Sequence, residues 1–212
     1  MNSDFEELLS LFNANDVKYL VVGGYAVMLY TEPRYTKDLD IWIEPSEDNA
    51  ARVFRALSEF GAPLSGLTPA DFTHEGCFYQ VGIPPVRVDI LMSIDGVAFD
   101  DAWLNRQESL LGTQKTWFIG RTDLIKNKRA SGRHIDLHDV DLSTKTSRTT
   151  LGPPALRTSA SLGDFGKASG LPTNLTNRDW PPTSVPDPGS RPHLVCMPVD
   201  VACRGIDVTT TA

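Results

Sequence analysis

An α/β fold, with a mixed β-sheet flanked by helices, is what this sequence predicts. Three observations carry that expectation. Helix-type and strand-type apolar patterns alternate through residues 1–142, a Gly-Gly pair sits where a strand gives way to a helix, and two later strand-like runs carry acids among apolar residues.

In chain order, Phe5, Leu8, Leu9 and Phe12 recur at helical spacing behind a Ser3/Glu6 capping-box pattern, which predicts a first helix over residues 4–13. Lys18-Tyr19-Leu20-Val21-Val22 is a short β-rich run closed by Gly23-Gly24, and a helix over residues 25–30 opens directly behind the glycines. The run from Asp38 to Ile43 alternates as a strand. Ser46 caps a helix that carries Val53, Phe54, Leu57 and Phe60 and is closed by Gly61. Residues 62–77 have no readable pattern. Phe78 to Val81 and Val86 to Leu91 read as paired strands across the Gly82-Ile83-Pro84-Pro85 turn. A short helix is expected near residues 100–105, a strand over 116–119, and helices over 122–130 and 134–142, with Gly132 stopping the first of these two.

The net charge of −7 over 212 residues hides a division, because residues 1–142 carry −9 and residues 143–212 carry +2. In the second part 33 of 70 residues are Thr, Ser, Pro or Gly, and there is no Glu and no sustained apolar period. Such a segment buries too little apolar surface to offset its ordering entropy. The expectation is one domain over 1–142, long enough for a single core, and a low-complexity, disordered tail over 143–212. A frame change or displaced stop codon would account for that tail. An evolved linker or partner-binding segment is the rival account.

Composition also narrows the function. The negative charge argues against a generally basic nucleic-acid surface, though not against a local basic groove. No apolar run reaches membrane-spanning length and the start is acidic, so the expected compartment is the cytoplasm, with no membrane partner. Cys77, Cys196 and Cys203 are odd in number, widely spaced and without a C-x-x-C pair, which points to plain thiols. The dispersed histidines include a His134/His138 pair without the glutamate of H-E-x-x-H, and no G-x-S-x-G elbow occurs.

Three features could carry chemistry. Gly23-Gly24 would let backbone N–H groups and a helix N-terminus approach phosphate oxygens, or it is simply a tight turn. It is neither a Walker loop nor a dinucleotide fingerprint. In Asp38-Leu39-Asp40 the two carboxylates project from one strand face, an arrangement that costs repulsion unless a cation neutralises it or the strand end faces solvent. Asp89 is the only acid in Val86-Arg87-Val88-Asp89-Ile90-Leu91-Met92, so it either pairs with Arg87 on the same face or lies beside the Asp38 strand as a third metal-binding carboxylate.

Together, Val22-Gly23-Gly24-Tyr25-Ala26, Thr36-Lys37-Asp38-Leu39-Asp40-Ile41-Trp42-Ile43 and Val88-Asp89-Ile90-Leu91 resemble the nucleotidyltransferase superfamily with a polymerase-beta-like fold. Arg34-Tyr35-Thr36-Lys37-Asp38-Leu39-Asp40, with the later Lys126-Asn127-Lys128 helix and Asp136, is similar to small bacterial members such as the AbiEii-type toxins. The resemblance spans about residues 5–142. It implies a nucleotidyltransferase-like fold in which Asp38, Asp40 and Asp89 hold two Mg²⁺ ions and Gly23 and Gly24 hold the outer phosphates of an NTP. It implies transfer of a nucleoside monophosphate to a hydroxyl acceptor, which could be RNA, a protein or a small molecule, in a toxin–antitoxin or phage-defence setting with an antitoxin as partner. Lys128 is the better phosphate cation, because Leu124 and Ile125 lie four and three residues before it on the core-facing side, with Lys126 roughly opposite. A snorkelling surface lysine is the alternative there. A catalytically silent binding or accessory protein of the same fold is the alternative for the whole chain.

Overall fold

The computed structural model of the chain describes residues 2–31, 36–83, 86–132 and 194–196. The expected helix over 134–142, the Arg34-Tyr35 part of the D-x-D motif and most of the tail lie outside the described residues.

The first helix, α1 (Ser3–Ala14), starts one residue earlier than its sequence pattern suggests, because Asn2 and not Ser3 is the cap: its side chain accepts from the Asp4 N–H at 2.8 Å. Glu6, the other half of the expected capping box, instead accepts from the backbone N–H and the hydroxyl of Thr113 (3.2 and 2.6 Å), which ties α1 to a distant turn. Strand β1 (Tyr19–Val21) is fully buried and leads through Val22 into α2 (Gly23–Tyr30). Strand β2 (Asp38–Ile43) keeps the bounds the alternation predicts. Helix α3 (Glu47–Phe60) is capped by Ser46, whose hydroxyl accepts from the Asn49 N–H, and is stopped by Gly61 in the left-handed region at φ 83°. The segment without a readable pattern contains a 3-10 turn over Pro69–Thr73.

Strands β3 (Cys77–Ile83) and β4 (Val86–Leu91) form the expected antiparallel pair. Helix α4 (Phe99–Leu104) is followed by a hairpin of β5 (Gln107–Leu111) and β6 (Gln114–Phe118), and then by α5 (Arg121–Ser131), which Gly132 ends at φ 64°. A last short strand, β7 (Leu194–Cys196), lies within the segment expected to be a disordered tail and yet pairs with β3.

The seven described strands form one sheet in the order β5-β6-β1-β2-β4-β3-β7. The β1–β6 and β2–β4 pairs are parallel and the others antiparallel, so the sheet is mixed. The plain-thiol expectation is corrected for two cysteines. The register that sets Cys77 opposite Cys196 puts their Cα atoms 4.0 Å apart, and they form a disulfide across 119 residues of sequence. No local spacing could have signalled it.

Leu39, Ile41 and Ile43 of β2, with Val88 and Ile90 of β4, are wholly buried. Residues 38, 40 and 42 take the opposite face. There Trp42 meets Phe99 of α4 edge-on, and Trp103 and Trp117 extend the aromatic cluster under the Arg106 guanidinium. Helix α2 packs on β2 and α5, and the Tyr30 hydroxyl at its end donates to the Ile119 carbonyl at 2.7 Å, just before α5 begins.

Candidate active site

The parallel register of β2 and β4 sets Asp40 opposite Asp89 and Asp38 opposite Arg87. Registered residues on parallel neighbours point to the same face with the strands about 4.8 Å apart, so three acids and one arginine form a small patch. Like charges placed side by side across strands are destabilising, and the surrounding structure shows how the cost is met.

Arg87 touches two of the acids, with Nε 2.9 Å from Asp89 Oδ1 and Nη2 3.4 Å from Asp38 Oδ2. The contact to Asp89 is a close ion pair. Gln80, opposite Asp89 on β3, hydrogen-bonds its carboxylate. Asp40 receives a hydrogen bond from the Gly24 backbone N–H and the attraction of Lys128. Asp89 therefore pairs with Arg87, and its strand also lies beside the Asp38 strand.

The glycine pair is built against this patch. A Cβ on Gly23, whose φ is +59°, would lie 1.9 Å from Asp40 Oδ2, and a Cβ on Gly24 would lie 2.6 Å from Thr36 Oγ1. Gly23 is thus required twice, for its left-handed backbone and for the room its missing side chain leaves to Asp40. Asp40 consequently reaches the first turn of α2, where backbone N–H groups lack intrahelical partners and carry a partial positive charge.

Lys128 is buried (6% exposed) and bears on Asp40 from α5, whereas the Lys126 side chain is 55% exposed and pairs with Asp123 at 2.8 Å. Burial, followed by the charges of Asp89 and Asp38, pushes the Asp40 carboxyl up to about 6 despite Lys128 and the Gly24 N–H. Asp89 is also raised, chiefly by burial, with Asp38 adding to the rise and Arg87 and Gln80 opposing it.

The donor set suits a hard divalent cation in its chemistry, since it consists of carboxylate oxygens whose mutual repulsion such a charge would relieve. It is not a ready-made cage. Among the described residues no three His, Cys, Asp or Glu side chains are gathered as metal ligands, and Arg87 neutralises part of the charge on Asp38 and Asp89. A cavity of about 580 Å³ lined by Tyr30, Asn105, Arg106, Gly120, Arg121 and Thr122 lies at the far end of α2 from the carboxylates. It is a separate feature.

Thr36, Gln80 and the double contact of Arg87 are parts of the site that sequence reasoning missed. Arg87 was legible as a same-face neighbour of Asp89. Gln80 becomes a neighbour only once the β3–β4 register is known.

The molecule is an α/β protein whose acids are collected on one face of a mixed sheet, next to a glycine turn and a buried lysine. The chain belongs to a family of nucleotidyltransferases of unknown function (DUF6036), which it matches over residues 2–152, a span that includes every residue of this patch. No curated protein shows significant similarity to it. Among solved structures it is similar to a Thermotoga maritima protein assigned as a candidate nucleotidyltransferase, with 19% identity and a TM-score of 0.41 over 68% of this chain and 88% of that one. It is also similar to the lincosamide antibiotic adenylyltransferase LnuA in its lincomycin-bound form, with 15% identity and a TM-score of 0.41 over 69% of this chain and 98% of that one. No described helix is long and apolar enough to cross a membrane.

Proposed function

We propose that the protein is a Mg²⁺-dependent nucleotidyltransferase that moves a nucleoside monophosphate from an NTP to a hydroxyl acceptor. The observation that carries this reading is the side-by-side register of Asp40 and Asp89, with Asp38 on the same face and Lys128 buried against Asp40. In this reading Asp38, Asp40 and Asp89 hold the metal, which when bound would lower the pKa of the acceptor hydroxyl and stabilise charge at the α-phosphate. Asp89 also helps to remove the hydroxyl proton. The acceptor oxygen then bonds to the α-phosphorus while the bond to the β-phosphate bridging oxygen breaks, and pyrophosphate leaves. Lys128 supplies a fixed positive charge to the phosphates. The Gly23-Gly24 turn offers the N-terminus of α2 to the outer phosphates, with the Gly24 N–H already engaged by Asp40.

The acceptor is RNA, a protein side chain or a small molecule, and the net charge of −7 disfavours a large RNA footprint. A toxin–antitoxin or phage-defence role, with an antitoxin protein as partner, is the finer form of the proposal. A catalytically silent binding protein is the second reading. It is favoured by one observation: Arg87 already neutralises two of the acids, and no three-ligand cage is gathered among the described residues. Incubation with each α-labelled NTP and cell extract separates the two. Label transfer that Asp40→Asn abolishes supports the enzyme, and absence of transfer with every NTP supports the silent protein.

A further inference from the structure

Arg87 is the residue the nucleotidyltransferase reading leaves without a role, and its position is specific. It stands on β4 two residues before Asp89 and in register with Asp38, so its guanidinium lies between the two carboxylates that flank Asp40. Lys128 bears on Asp40, and Arg87 is shared between the other two proposed metal ligands. Its contacts are an ion pair with Asp89 and a long hydrogen bond of 3.4 Å to Asp38, and the side chain keeps 30% of its surface exposed. The β3 residue in register with it is Gly82, so β3 sets no side chain against it at that position.

We infer that Arg87 is an internal counter-ion that occupies the Asp38–Asp89 pair in the metal-free protein and must withdraw for a divalent cation to bind, so that it sets the metal concentration at which the site is filled. The inference rests on the metal-binding reading above and adds to it a competitor. A carboxylate pair can satisfy a guanidinium or a hard dication, and the two positive charges repel each other when both are held within a few ångströms. The arginine also explains how three acids on one strand pair are tolerated before metal arrives. It holds the apo patch together and weakens the first binding event.

The test uses the full chain, Mn²⁺ as the affinity probe and titration calorimetry as the readout. Arg87→Gln, which keeps length and polarity but removes the charge, is expected to bind Mn²⁺ at least tenfold more tightly than the unaltered protein and to have a lower Tm in chelator. Arg87→Lys, which keeps the charge, is expected to gain much less affinity. Unchanged or weaker binding by Arg87→Gln, or an equal gain by Arg87→Lys, overturns the competition while leaving the metal site standing. Failure of the unaltered protein and both variants to bind Mn²⁺ overturns the metal reading itself. An independent measurement covers the case in which Arg87→Gln does not fold. The Arg87 Nε–H resonance of the unaltered protein, assigned by its loss in Arg87→Lys, is expected to shift and exchange faster with solvent as Mg²⁺ is added. A resonance that stays fixed while Mg²⁺ binds overturns the withdrawal.

Discussion

The two faces of the β2–β4 pair share a backbone and differ in almost everything else. One face presents Leu39, Ile41, Val88 and Ile90, all without solvent exposure, and the other presents Asp38, Asp40, Arg87 and Asp89. The apolar face is held by burial, which is non-directional and tolerant of detail. The acidic face opposes folding unless each charge is met by Gly24, Lys128, Arg87 or Gln80. One residue of alternation therefore separates positions that stabilise the sheet from positions that the sheet must compensate.

The sharpest way to break this comparison is to alter neighbours on opposite faces. Asp40→Asn is expected to reduce label transfer by about 10³-fold or more, in the range expected for losing a preorganised charge or ligand, with the metal-free protein as stable as before or more so. Ile41→Ala is expected to cost about 2–5 kcal/mol in denaturant unfolding, with residual activity tracking the folded fraction. A large stability loss in Asp40→Asn would show that the acid is structural.

Lys128→Ala is expected to lower turnover by about 10²-fold, against less than about twofold for Lys126→Ala, as judged by initial rates at saturating NTP. Equal effects would remove the distinction between the buried and exposed sides of α5. Gly23→Ala forces a side chain onto Asp40 and into a left-handed backbone, so a loss of about 1–3 kcal/mol is expected in denaturant titration. The same change in Gly66, where a Cβ meets nothing within 4 Å, carries only the backbone part of that cost.

The most gradual expected effect is a slope with pH. The Asp40 carboxyl is raised from 3.8 to about 6, so the folded state holds its proton more tightly than the unfolded chain does. Stability from this group is complete below about pH 4 and falls through pH 6. The loss approaches about 3 kcal/mol and persists above that range. Denaturation in chelator between pH 4 and 7 would reveal the slope, and Asp40→Asn is expected to flatten it.

Much of this was legible in the sequence where a local rule applied. Alternation fixed β2, and Ser46 with Gly61 fixed α3, because each signal lies within a few residues of what it controls. The side of α5 that buries Lys128 followed from Leu124 and Ile125 in the same way. Strand β5 escaped because Gln107-Glu108-Ser109-Leu110-Leu111 lies at the sheet edge, mostly outside the core, and shows no alternation. Strand β7 and the Cys77–Cys196 disulfide depend on pairing across 119 residues, and the Asp40–Asp89 neighbourhood depends on a register no short window contains. The capping residue of α1 was displaced by one position because Asn2 and Ser3 are both competent caps.

Helix α2 is eight residues long, about 12 Å from end to end. Its first turn is fastened to Asp40 by the Gly24 N–H, and its last residue is fastened by the Tyr30 hydroxyl to Ile119, from which the chain enters α5 and returns to Asp40 with Lys128. Acid and base thus stand at the ends of a closed mechanical ring made of one helix, another helix and two hydrogen bonds. The two groups are thereby joined through the backbone as well as through their charges, so discharging Lys128 leaves the Tyr30–Ile119 fastening in place.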